Sequence, residues 1–211
     1  MRKIWFRGRF LVWLLAAVVP GLVQAQVSEQ EPGKQAGADD MKAAIAEYMK
    51  YSQPGKYHDY LKPLAGKWQL TGKVRMAENA PWQEIHSESE IEWILGGRFL
   101  TEKIQGKPSD WMPQAFEGFH ILGYDNYKQK YLSFWMDNFN TMVVFAEGLS
   151  DASGKMITFT GSYDDPMSGS QKEIKRVYDM VGNDKYIYRE YDRSPAGKKY
   201  VSIEIVYMRK K

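Results

Sequence analysis

The 211-residue chain has no cysteine. That excludes disulfides, thiolate metal centres and cysteine nucleophiles, so the core alone must hold the fold. Histidine is scarce: His58, His86 and His120 are the three, and none has a second histidine two or four positions away, as a metal site on one element would need. The chain lacks a phosphate-binding glycine loop, a G-x-S-x-G elbow, an H-E-x-x-H pair and a dinucleotide fingerprint. No cofactor is therefore implied. It also lacks a polybasic cluster beyond the terminal Arg209-Lys210-Lys211, which reads as a solvated end.

What is present begins with an address. Arg2, Lys3, Arg7 and Arg9 form a basic start, and residues 10–19 form an apolar run of ten, short for a bilayer span. Pro20 and Gly21 break the run. Val23 and Ala25 then stand at the −3 and −1 positions of a signal-peptidase site. We expect a signal peptide over residues 1–25, cleavage after Ala25, and a periplasmic or extracellular protein without a membrane span. The whole chain is formally +3, but without those four basic residues the rest carries 25 basic against 26 acidic residues. A near-neutral domain gives no electrostatic case for nucleic acid binding.

Residues 26–38 are polar, with Gly and Pro, and read as a flexible linker. A helical lead-in is expected over 39–62, where Met41, Ala44, Ile45 and Tyr48 make one apolar stripe. From Gly66 the period changes to two. Trp68, Leu70, Gly72, Val74 and Met76 alternate with polar residues. Ile85, Ser87, Ser89, Ile91 and Trp93 alternate with Glu84, His86, Glu88, Glu90 and Glu92, so the acidic face must be wet. Further strands are expected over 98–105, 116–124, 130–137, 141–149, 155–163, 172–181, 185–191 and 199–209, with turn residues between them. No long helix separates these strands, so they pair antiparallel. About ten of them exceed what an open twisted sheet holds comfortably, which predicts closure of residues 63–211 into an all-β barrel or sandwich.

Gly66-Lys67-Trp68, directly after a short helix, resembles the first strand of lipocalins and related calycin barrels. That resemblance implies that Trp68 plugs the closed end and that Arg209, late in the last strand, stacks on it. A wider likeness covers nearly all of the expected mature chain. The segments AEYMKYSQPGKYHDYLKPLAGKW, EWILGGRFL, FHILGYDNYKQKYLSFWMD and FTGSYDDPMSG resemble an exported bacterial family known as domain of unknown function 1579. It implies a lipocalin-like barrel and carries over no catalytic residue.

Within such a barrel the polar residues on inward faces are the candidates for function. His58 reads as part of a polar turn and His86 as part of the wet face. His120 sits in a strand apolar on both faces; it is either a hydrogen-bonded structural residue or a ligand-binding or catalytic one. On the late strands Val201, Ile203, Ile205 and Tyr207 share a face, opposite Ser202 and Glu204. Tyr186, Tyr188 and Glu190 oppose Ile187, Arg189 and Tyr191, so either orientation brings a charge inside, where it must be paired or wet. Arg176 and Arg189 are the partners available to Glu190 and Glu204. These pairs are either exposed cross-strand ion pairs or a polar anchor for a ligand. Asp164-Asp165, before Pro166-Met167-Ser168-Gly169, reads as turn capping rather than a Ca2+ loop.

The leading expectation is a barrel that binds a small hydrophobic or amphiphilic molecule, lined by Trp93, His120, Trp135, Arg176, Glu190, Glu204 and Tyr207. Two alternatives stand beside it. One is a hydrolase or isomerase using Glu190 or Glu204 with His120. The other is a barrel packed solid that acts through its surface.

Overall fold

The structure is a computed structural model that describes residues 37–166 and 168–211. The expected signal peptide and residues 26–36 of the expected linker lie outside the described residues. The first element, α1 (Ala38–Met49), starts with the Gly37 N–H donating to the Asp40 carboxylate at 3.2 Å. Its apolar stripe packs on nothing among the described residues: Met41 is 58% and Tyr48 78% exposed. α2 (Lys56–Asp59) and a 3-10 turn (Lys62–Leu64) follow. Pro63 lies inside that turn, near its start, where a missing N–H is harmless.

The strands are β1 (Gly66–Val74), β2 (Gln83–Ile94), β3 (Phe99–Gly106), β4 (Phe116–Asp125), β5 (Lys130–Asp137), β6 (Val144–Ser150), β7 (Met156–Asp165), β8 (Ser170–Gly182), β9 (Lys185–Arg193) and β10 (Lys199–Arg209). Each pairs antiparallel with the next, and β10 returns to β1, from Trp68 opposite Arg209 to Val74 opposite Ile203. The sheet is therefore a ten-stranded antiparallel meander closed into a barrel. The expected start of β6 at residue 141 moves to Val144. Side chains of Asp137 and Asn140 accept the N–H groups of Phe139 and Met142 and hold that stretch as a capped loop.

The closed end is built from the helical lead-in. Leu61, Leu64 and Trp68 are fully or almost fully buried. The Trp68 indole N–H donates to the Leu64 carbonyl at 2.8 Å, so the ring's one polar atom is satisfied. Arg209 lies 4.2 Å over that ring and donates to the carbonyls of Ala65 (2.8 Å), Pro63 (2.6 Å) and Asn183 (2.7 Å). Gly66 is required here: its φ is +135°, and a Cβ would stand 2.3 Å from an Arg209 nitrogen. His58, expected in a polar turn, is buried instead; its Nδ1 accepts the Gly55 N–H at 3.1 Å, and burial lowers its pKa.

Truncating Trp68→Ala is expected to cost about 3–5 kcal/mol in denaturant unfolding, because it leaves a cavity and strips Arg209 of its platform. A loss below about 1 kcal/mol would show that the closed end does not depend on the ring.

Candidate functional site in the barrel interior

Strand alternation sorts the interior into layers from the closed end upward. The lowest is aromatic. Tyr186 stacks on Tyr207 with ring centres 4.1 Å apart, and its edge meets Trp68 at 4.9 Å. Tyr131 and Phe159 complete this layer, both essentially inaccessible. Tyr207, expected to line a cavity, is 3% exposed and packed against Tyr186 and Trp68 in this layer.

The middle layer is polar. His120 on β4 hydrogen-bonds through Nε2 to the Ser133 hydroxyl on β5 at 2.9 Å. Its Nδ1 lies 3.6 Å from the Glu102 carboxylate on β3. Glu102, His120 and Ser133 are 5%, 3% and 0% exposed. Glu102 Oε2 faces the histidine, while Oε1 has no hydrogen-bond partner. A cavity of about 10 Å3 lies against Glu102, His120, Tyr178, Tyr186 and four aliphatic residues, room for about one water. Burial, and then the nearby Glu102 charge, push the Tyr178 phenol above its usual pKa. It stays a neutral hydroxyl at any ordinary pH.

Above this lies an ion pair. Arg176 Nε donates to the Glu190 carboxylate at 2.8 Å, and the Tyr188 hydroxyl donates to the same oxygen at 2.7 Å. Burial works against the Arg176 charge, but Tyr188 and Glu190 outweigh it and leave the guanidinium more basic than usual. Burial, reinforced by Glu190, raises the Tyr188 phenol well above its ordinary value, so it acts as a donor and not as an anion.

The open end carries Phe116, Trp135 and Tyr163, which point inward by alternation yet remain partly exposed. Phe116 and Trp135 stack at 6.2 Å, and the indole N–H donates to Asp137 at 2.9 Å. Gly118 makes that placement possible, since a Cβ there would stand 2.6 Å from the Trp135 ring. At the rim Lys172 bridges Asp165 (3.0 Å) and Asp192 (4.0 Å). Asp165 also accepts the Ser168 N–H at 3.1 Å, the turn-capping contact expected of this segment.

The expected site residues therefore divide. His120, Trp135, Arg176 and Glu190 occupy consecutive layers. Trp93 points inward at the closed-end turn of β2 and packs on the core. Glu204 does not reach the interior. It lies on the outer wall, where it takes the Arg189 Nε–H at 2.8 Å and has Lys73 at 3.8 Å. A β-bulge between Val201 and Ile203 is the cause of the mixed face pattern on β10. Tyr200 is buried before the irregularity and Ser202 within it, and Ile203, Ile205 and Tyr207 turn inward after it, leaving Glu204 outside. The carboxylate beside His120 is Glu102, not Glu190 or Glu204. Glu102 was legible in principle, since it alternates in phase with Leu100 and Ile104; Ser133 does so with Tyr131 and Trp135. A larger hollow of about 590 Å3 lies on the outer wall, between Lys130, Phe145, Glu147, Leu149 and Thr160.

Fold and layered interior define a closed, lipocalin-like β-barrel with a packed floor and a polar, partly open upper half. Residues 53–209 match the family described as protein of unknown function (DUF1579), and the chain belongs to that family. No curated protein matches the chain. Among solved structures it is similar to the S-type phycobiliprotein lyase CPES from Guillardia theta, with TM-score 0.55 and 12% identity over 74% of this chain and 94% of that one. It is also similar to Rv2717c from M. tuberculosis, with TM-score 0.56 and 16% identity over 75% of this chain and 100% of that one. Both likenesses are of fold.

Replacing Arg176 by Met leaves Glu190 without its cation in a largely desolvated layer, and unfolding should show a loss of about 3 kcal/mol. The double change Arg176→Met with Glu190→Leu should recover most of that loss. Glu204→Gln, on the outer wall, should stay within about 0.5 kcal/mol of wild type. Equal losses in all three variants would contradict the assigned layers.

Proposed function

We propose that this protein is an exported binder of a small apolar or amphiphilic molecule, taken in through the open end of the barrel. The observation that carries this reading is the state of Phe116, Trp135, Tyr163 and Tyr188. They occupy inward positions, where a finished core would bury them, yet all four remain partly exposed, and the Arg176–Glu190 pair shares that interior. Aromatic walls with a few fixed polar groups are the usual make-up of a ligand site. The floor below is solid, so the ligand occupies the upper half. Export is inferred from the basic start, the apolar run and the small residues before Gln26.

Titration with the uncharged dye Nile red tests the binding reading. Wild-type protein should give a saturable fluorescence rise. Trp135→Ala should bind roughly tenfold more weakly, about 1.4 kcal/mol, through loss of its stacking face. Absence of any saturable signal, or equal binding by the variant, contradicts the reading.

Export has its own check. Expressed with its leader, the protein should be recovered from periplasm or medium with an N-terminal mass starting at Gln26. An intact Met1 in the membrane fraction would refute export.

A further inference from the structure

The inward faces of the wall carry unequal charge. Glu102, Asp137, Asp165, Glu190 and Asp192 point inward among the described residues, against Lys172 and Arg176 as permanent cations. Arg209 seals the closed end from below and contributes nothing above the floor.

The carboxylates are not equally served. Glu190 has Arg176 and the Tyr188 hydroxyl. Asp165 has Lys172, Asp192 has the Tyr200 hydroxyl at 3.3 Å, and Asp137 accepts from Trp135 and Phe139. Glu102 is the exception. It is 5% exposed, its Oε2 lies 3.6 Å from Nδ1 of the His120 ring, and its Oε1 has no partner among the described residues. It borders the cavity of about 10 Å3 in the middle layer. The Ser89 hydroxyl, on the adjacent strand, and the Tyr186 hydroxyl, whose residue borders the same cavity, are two further buried oxygens without a partner. A buried carboxylate oxygen left bare costs free energy, and a donor placed against it recovers that cost with a charge-assisted bond.

Resting on the reading that the barrel binds a small molecule, we propose that its ligands are amphiphiles ending in a protonated amine or a comparable hydrogen-bond donor, with Glu102 as the deep anchor for that end. An ammonium tip is about the size of the single water the cavity admits. The apolar body lies above it, along the open-end aromatics. Above the cavity stand the Arg176–Glu190 pair and, at the open end, Trp135, its ring centre 6.2 Å from that of His120. The one hydrogen bond of its indole runs to Asp137 in its own strand, so the ring moves aside for a ligand without breaking a tie to another strand. A carboxylate-ended ligand meets the opposite situation: the interior already holds more anions than cations, and a further anion beside Glu102 is repelled.

Displacement of Nile red by dodecylamine, dodecanol and dodecanoate at neutral pH, all below their micelle-forming concentrations, separates these outcomes. The account predicts that dodecylamine displaces the dye at a concentration at least tenfold lower than dodecanoate, with dodecanol between. Glu102→Gln should remove about tenfold of the amine's advantage and leave dodecanol unchanged. Equal potency of the three probes, or an amine preference that survives Glu102→Gln, overturns this inference while leaving the binding reading intact. Should the variant fail to fold, the wild-type ranking alone decides. Failure of Nile red itself to bind overturns both.

Discussion

Arg209 lies flat on the Trp68 indole and donates to three backbone carbonyls that belong to the lead-in turn and to the β8–β9 connection. This contact joins the first strand to the last. A meander becomes a barrel only where its two edge strands meet, and β1 and β10 meet here. One cation thereby satisfies carbonyls that helix and strand ends would leave bare, and one aromatic ring fills the space beneath it. Without cysteine, nothing covalent duplicates that seam. The meander sets the order of the strands, and this seam closes them so that one face of each is enclosed.

Above the seam the interior changes character with height. The floor is aromatic and dense, and it contributes stability by burying large rings. The middle and upper layers contain a histidine, an arginine and several carboxylates, which a purely structural core has no need of. Buried ion pairs contribute little net stability against an apolar replacement. They stand beside Trp135 and Tyr188, which stay partly exposed, and the proposed ligand site rests on that combination. The small central cavity argues in the same direction, since its polar oxygen lacks what a folded core ordinarily supplies.

Much of this was legible in the sequence. Period-two alternation fixed the faces of β1 and β2, and the Gly66-Lys67-Trp68 triplet pointed to the closed end. The layer assignment was harder. Both faces of β9 carry a charge, so the sequence leaves open whether Glu190 or Arg189 faces inward, and the structure turns Glu190 in. Glu204 lies opposite Ile203, Ile205 and Tyr207, so turning those three inward leaves it outside; the bulge instead moves Val201 off their face, and a bulge without Gly or Pro leaves no mark in composition. Glu102, a lone glutamate between a threonine and a lysine, looks like surface in the sequence although its phase with Leu100 and Ile104 is regular. His58 looked exposed for a similar reason: its sequence neighbours are polar, and its burial comes from Tyr124 on a strand distant in sequence.

The central claim is that the upper half of this barrel is a ligand site. Native mass spectrometry of the protein purified from its own host, under conditions that preserve non-covalent complexes, tests it most directly. The account predicts a mass excess of an organic molecule that disappears on denaturation and is reduced in Trp135→Ala. A wild-type mass equal to that of the bare mature chain, with no adduct in either form, would contradict it.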